Sequence, residues 1–169
     1  TGQYNQYLGY QAGYTNSTQE KNVGIGHVAL YYNTGNNNTA VGHGALSTQS
    51  NAGENTAIGS SAMSSNTTGG NNTSLGYQSL FSNTTGSYAT AVGYQAAYNA
   101  NSGSITAVGY GALYSQTIQN GDTAIGQEAG YNHNGGYYLT AVGHQAADYN
   151  TTGINNTAIG ADALKSNTT

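Results

Sequence analysis

The chain has 169 residues, of which two are Lys or Arg and six are Asp or Glu, and its formal net charge is −4. The absence of cysteine excludes a disulfide scaffold and a thiolate metal site. So few basic residues argue against nucleic acid as a partner, and no apolar run approaches the roughly 20 residues of a membrane-spanning helix. Neither nucleic-acid binding nor membrane insertion is therefore expected of this segment.

An aliphatic residue followed by glycine recurs along the chain at intervals of 16 or 17 residues. The repeat glycines are Gly9, Gly26, Gly42, Gly59, Gly76, Gly93, Gly109, Gly126, Gly143 and Gly160. The aliphatic residues before them are Leu8, Ile25, Val41, Ile58, Leu75, Val92, Val108, Ile125, Val142 and Ile159. Ten units thus cover residues 1–169 as a single repeat domain. Because the sequence starts inside a unit and without Met, we interpret it as a segment of a longer fibre protein.

The consensus of a unit is Asn-Thr-Ala-[Val/Ile]-Gly-[Tyr/His]-x-Ala-Leu, followed by a tract rich in Asn, Thr, Ser and Gly. Glycine inside a helix costs about 1 kcal/mol relative to alanine, whereas Thr, Val and Ile favour strands. Helical repeats also need about 33 residues or more. The consensus therefore predicts an all-β fold, a parallel β-solenoid (β-roll) of ten coils with about 17 residues each.

Alternation along a strand places Thr39 and Val41 on one face and Ala40 and Gly42 on the other. We expect the aliphatic residues to stack from coil to coil as a structural ladder that is shielded from water. Coils spaced by about 4.8 Å make a rod roughly 48 Å long. Its thin core predicts association of the chain with itself, as a homotrimer or a filament.

Three units carry this consensus in its plainest form: Asn-Thr-Ala-Val-Gly-His at 38–43, Ala-Thr-Ala-Val-Gly-Tyr at 89–94 and Asn-Thr-Ala-Ile-Gly-Ala at 156–161. They resemble the head repeats of trimeric autotransporter adhesins, and the longer consensus is similar to repeat regions of phage tail fibres that end in an intramolecular chaperone. The resemblance implies a non-catalytic, adhesive, multimeric shaft or head that is extracellular, at a cell surface or on a virion tail, and contacts glycans or receptors. A receptor-binding tail-fibre shaft and a self-assembling, glycosylated extracellular filament are the alternatives.

Histidine follows the repeat glycine at His27, His43 and His144, and stacked coils would bring the first two about 5 Å apart. Neutral imidazole is a common metal ligand. Because tyrosine holds the same position in other units, we interpret these histidines as fillers of an amphipathic position and predict no metal site. The scattered acidic residues form no catalytic motif, so we predict neither an enzyme nor a cofactor.

Aromatic residues stand five positions after the repeat glycine in six units. They are Tyr14, Tyr31, Phe81, Tyr98, Tyr114 and Tyr131. Stacked coils would align them as a ladder that stabilises the rod, because aromatic pairs contribute beyond their burial. The alternative function of this ladder is a stripe that binds sugars or surfaces.

Asn-x-Ser/Thr sequons lie mostly in the polar tracts, which we expect to reach solvent. The glycosylation candidates are Asn16, Asn37, Asn66, Asn71, Asn83, Asn150 and Asn155. Asn72 and Asn167 also begin sequons. Glycans on such residues would add solubility to a fibre with few charges.

The threonine column from Thr39 to Thr157 raises a last alternative, ice binding. A flat threonine ladder on a solenoid is similar to insect-type antifreeze proteins, which expose paired columns as Thr-x-Thr. Here the second column is Val or Ile, so we expect this face to point inward.

Overall fold

The computed structural model describes residues 2–117 and 121–168 and confirms the predicted parallel β-solenoid. Ten three-residue strands form one sheet in chain order, in which each strand pairs in parallel with those of the adjacent coils. The strands are β1 Gln6–Leu8, β2 Val23–Ile25, β3 Thr39–Val41, β4 Thr56–Ile58, β5 Thr73–Leu75, β6 Thr90–Val92, β7 Thr106–Val108, β8 Thr123–Ile125, β9 Thr140–Val142 and β10 Thr157–Ile159. Across these two ranges no helix has the length and apolar character needed to cross a membrane.

The register of the sheet stacks each residue of a unit on its equivalent in the next unit. Between β3 and β4, for example, Thr39 pairs with Thr56 and Ala40 with Ala57. Equivalent positions therefore form columns that run along the solenoid, and the 16-residue units keep this register because they differ only in the loops.

Alanines rather than branched residues line the interior of the coil. Ala107 of β7, Ala112 and the following Leu113 are fully buried, and the same three positions supply most of the core in other coils. A coil of about 17 residues leaves room for little more than one large side chain. The small side chain two residues before the repeat glycine is thus a steric requirement in nine of the ten units, and the exception is Tyr7 in the terminal first coil, which is only partly buried.

The aliphatic column points away from this interior, so the prediction that it is shielded from water is wrong for the single chain. The exposed members are Leu8, Ile25, Ile58, Leu75, Ile125 and Ile159, and the four valines are half-buried. Strands favour β-branched residues for conformational and packing reasons, whichever face they occupy. Apolar character alone therefore did not determine which face of these short strands is buried.

Left-handed backbone conformations turn the chain after each repeat glycine. In the sixth coil Gln95 and Ala97 have φ of 51° and 52°. The Gln95 N–H donates to Tyr77 O of the preceding coil (2.9 Å), and the Ala97 N–H donates to Ala112 O of the following coil (2.8 Å). Because each left-handed residue costs roughly 1–2 kcal/mol, these hydrogen bonds to both neighbours are needed to hold the coil.

Candidate functional site

The sheet presents one outward surface, which we call the strand face. It consists of the positions three before, one before and one after each repeat glycine, which are mostly Thr, Val or Ile, and Tyr or His. None of its thirty positions holds Asp, Glu, Lys or Arg. The expectation that the Thr and Val/Ile columns point inward is therefore wrong: both lie on an uncharged, solvent-facing surface.

Aromatic rings stack along one edge of the strand face. His27 and His43 lie parallel at 5.0 Å between ring centroids, which confirms the predicted spacing. Tyr10 extends this stack at 5.4 Å, and a second stack joins Tyr77, Tyr94 and Tyr110. In the described ranges no three His, Cys, Asp or Glu side chains come close enough together to hold a metal ion.

A second aromatic column, which we call the corner stack, lies five positions after the repeat glycine. Phe81, Tyr98, Tyr114 and Tyr131 stack with centroid distances of 5.1, 5.0 and 4.8 Å. Tyr14 and Tyr31 form a separate pair at 5.0 Å. The predicted ladder is thus confirmed in two segments. Within each segment the ring faces cover one another, so a sugar could reach a ring face only at the ends of a segment.

Replacing Tyr98 and Tyr114 together by alanine is expected to destabilise the solenoid. The double variant removes three stacked pairs, each worth about 0.5–1.5 kcal/mol, and we expect a loss of roughly 2–4 kcal/mol in urea unfolding. Tyr137→Ala at an exposed position is the control. Equal stabilities of the double variant and the control would show that the corner stack has no structural role.

Two columns of side-chain amides run along the interior, and neither column was predicted to have a structural role. Four residues before the repeat glycine, buried Asn55 accepts the Asn72 N–H at Oδ1 (2.9 Å) and donates from Nδ2 to Gly69 O (2.9 Å). The second column stands seven residues after the glycine and includes Asn66 and Asn83, both buried. Recurrence of Asn or Gln at these two positions was the available signal, because buried amides must find partners.

Burial separates the glycosylation candidates into two groups. Asn66, Asn83 and Asn150 are fully buried, so a glycan at these three positions is incompatible with the folded coil. Asn37, Asn71 and Asn155 are exposed and Asn16 is half-buried. Of the two further sequons, Asn72 is buried and Asn167 is half-buried. The polar tracts therefore do not uniformly face solvent, since the second amide column falls within them.

His133 and Asp122 replace the two amides in the eighth coil and form a buried pair that is ionic when His133 is protonated. His133 Nε2 lies 3.4 Å from Asp122 Oδ2, and neither side chain is exposed. His133 Nδ1 contacts Asn150 O, and Asp122 Oδ1 accepts the Leu139 N–H (2.7 Å). Both ring nitrogens face acceptors, and only the imidazolium can donate from both.

Burial away from water by itself lowers the pKa of His133, but Asp122 and the Asn150 carbonyl outweigh it, and the pKa is raised above its usual value. A raised pKa in the folded state contributes stability that is fully present below the unfolded pKa of about 6.5 and is lost as the pH rises through the folded value. As the pH rises from mildly acidic to alkaline, we therefore expect the free energy of unfolding of the wild type to fall relative to that of His133→Asn. This variant has an amide at the position, as most other coils do. Urea unfolding of both proteins across this range measures the difference, and parallel curves would contradict the prediction.

Comparison of the chain with protein-family models, with curated proteins and with solved structures found no match in any of the three.

Proposed function

We propose that this chain is a non-enzymatic structural and adhesive segment of an extracellular fibre, in which three copies associate through their strand faces. The observation that carries the proposal is the absence of charge from all thirty positions of that face, combined with exposure of its aliphatic column. In the adhesin head repeats that these units resemble, three parallel chains together build one rod. Repetition then provides length and stiffness, while the loops contact cell-surface glycans or receptors.

The distribution of charge favours burial of the strand face. The eight charged residues all lie at other positions of the coil, such as Lys21, Glu54 and Glu128. Soluble monomers intersperse charges over their surfaces and rarely expose long apolar patches. An uncharged strip ten strands long is typical of a surface that a partner covers.

The gain from covering this face is large enough to drive association. Leu75 is 44% exposed and Ile125 is 42% exposed. Completing the burial of one such side chain contributes about 1 kcal/mol, half of the usual value for a fully exposed residue. The six exposed residues of the column thus contribute roughly 6 kcal/mol per chain and the four half-buried valines add less each, a gain within the range of the 4–15 kcal/mol that association costs in lost freedom.

Analytical ultracentrifugation of the wild type and of a triple variant, Ile58→Lys, Val92→Lys and Ile125→Lys, tests the proposal. We expect a trimer for the wild type and a folded monomer for the variant, because three like charges would meet at each level of the interface. The matched control is Ser65→Lys, Ser82→Lys and Ser115→Lys, at a column where other coils carry Tyr32 or Tyr149. We expect the control to remain trimeric. A monomeric wild type at micromolar concentration would refute self-association through this face.

Ice binding is a second candidate, because the threonine column lies on the outward face of the sheet rather than in the interior of the coil. Eight threonines from Thr39 to Thr157 pair in register beside the aliphatic column, and repeat at the strand spacing of about 4.8 Å. An uncharged array of methyl and hydroxyl groups at regular spacing is the kind of surface that ordered water can match. Thermal hysteresis of the Lys-substituted monomer and of wild type distinguishes the two functions: activity in the wild type that is lost in the variant supports ice binding.

A further inference from the structure

The corner stack is interrupted at one place along the solenoid. Tyr14 and Tyr31 form one segment and Phe81 begins the next, while the two intervening coils carry Ser47 and Ser64 at the same position. The ring of Tyr31 therefore has a stacked neighbour on one side only. On its other side Ser47 leaves the space that a tyrosine would fill.

A cavity of 280 Å³ lies at this interruption. Its lining residues are Gln11, Val28, Tyr31, Tyr32, Ser47 and Thr48. The rings of Tyr31 and Tyr32 are perpendicular, with centroids 4.5 Å apart and ring planes at 84°. The cavity thus brings the ring at the end of a stacked segment together with a second ring at right angles to it, an arrangement found at no other point of the corner stack among the described residues.

The polar groups of the cavity are neutral. The Ser47 hydroxyl donates to Ser64 O at 3.3 Å and the Thr48 hydroxyl donates to the same oxygen at 2.5 Å. Each hydroxyl oxygen keeps acceptor lone pairs for another donor. Gln11 adds an amide, and none of the six lining residues carries a charge. A complementary ligand is uncharged, with a flat apolar face and a rim of hydroxyl groups.

We propose that this cavity binds one neutral pyranose unit, with the apolar face of the sugar on the ring of Tyr31 and its hydroxyl groups directed to Ser47, Thr48 and Gln11. A small apolar wall with a few convergent polar groups is the usual composition of such sites. The aromatic walls of the cavity lie outside the strand face, so sugar binding here does not depend on self-association. The proposed fibre role leaves sugar contact to the loops in general, whereas this site locates it at a single cavity of the solenoid.

Saturation-transfer NMR with methyl β-glucopyranoside, methyl β-galactopyranoside and N-acetylglucosamine tests the site. In Ser47→Tyr the new ring would stack on Tyr31, as tyrosines do in five other coils, and would fill the cavity without disturbing the fold. We expect the wild type to bind at least one of the three sugars and the affinity to fall at least about tenfold in this variant. Tyr88→Ser, an exposed tyrosine far from the cavity, is the control and should bind like the wild type.

Three outcomes of this experiment would contradict the proposed site. Absence of saturation transfer to all three sugars in the wild type refutes a pyranose site. Unchanged binding by Ser47→Tyr, with circular dichroism showing a folded protein, places any sugar binding elsewhere. Loss of binding in Tyr88→Ser as well would show that the sugars associate with exposed tyrosines in general.

Discussion

Replacing Gly93 by alanine is expected to destabilise the solenoid by several kcal/mol, more than we expect for any other single substitution. Gly93 has φ of 134°, in a region that only glycine occupies readily. A Cβ atom there would lie 2.4 Å from Gly109 O in the next coil, well inside contact distance. The conformational cost is about 1–3 kcal/mol. The clash adds to it, because the obstructing atom belongs to the backbone of the adjacent coil and cannot rotate away.

Gly44→Ala provides a matched control for this prediction. Gly44 also has positive φ, 66°, but a Cβ atom there would meet only Ser61 Oγ at 3.8 Å. Other coils carry Gln, Ser or Glu at the equivalent position, so we expect a loss of about 1 kcal/mol. Urea unfolding of the two variants measures both losses. If Gly93→Ala were as mild as Gly44→Ala, neighbouring coils would be free to separate locally, and close stacking at the repeat glycines would not govern stability.

The close approach at the repeat glycines also explains why the fold could be predicted from the sequence. A residue that is glycine in ten units out of ten marks a position where another backbone comes near, and the spacing of 16 or 17 residues fixes which backbone that is. Strand type and parallel register follow from the same repeat, because each unit can bury its small residues only against its own copies. These inferences rest on geometry that every coil shares.

The orientation of the strands could not be read from the repeat in the same way. Ile58 and Ala57 are both apolar, and strand alternation places them on opposite faces without stating which face is inside. The width of the coil decides this: the interior accepts Ala57, fully buried, and leaves Ile58 38% exposed. That width depends on the left-handed residues after the repeat glycine, whose conformation is unusual for side chains such as Gln95 and is not visible in composition.

The buried polar pair was missed for a different reason. Neither His133 nor Asp122 belongs to the consensus, and each is the one titratable residue in a column of mostly amides that also admits apolar exceptions, such as Ala100 in one column and Ile105 in the other. The two columns are eleven residues apart along the unit but adjacent across the interior, as the hydrogen bond from Gln116 Nε2 to Asp122 Oδ2 (2.5 Å) shows in the seventh and eighth coils. The contact between His133 and Asp122 becomes visible only when the coil is folded, because the two residues are distant along the unit and adjacent across its interior.

Replacing Asn55 by alanine is expected to cost about 2–4 kcal/mol, the second large effect, because the amide columns connect successive coils. The Asn72 N–H would lose its acceptor, Asn55 Oδ1, in the interior, where an unpaired donor costs about 1–3 kcal/mol. The cavity left by the missing amide group destabilises the protein further. Gly69 O would keep one donor, Asn66 Nδ2 at 2.9 Å, so the loss falls mainly on the Asn72 amide.

Asn99→Ala is the control. Asn99 is half-buried, and its backbone N–H donates to Tyr114 O of the next coil (3.0 Å), a hydrogen bond that alanine would keep. We expect a loss below about 0.5 kcal/mol for this variant, as for most surface substitutions. Urea unfolding gives both losses, and hydrogen exchange of the Asn72 amide locates the first, because an unpaired N–H exchanges faster than its neighbours in the sheet. If Asn55→Ala unfolded with the control and the Asn72 amide stayed protected, another acceptor would have to replace Asn55. The backbone hydrogen bonds and the alanine columns would then hold adjacent coils together without the amide columns.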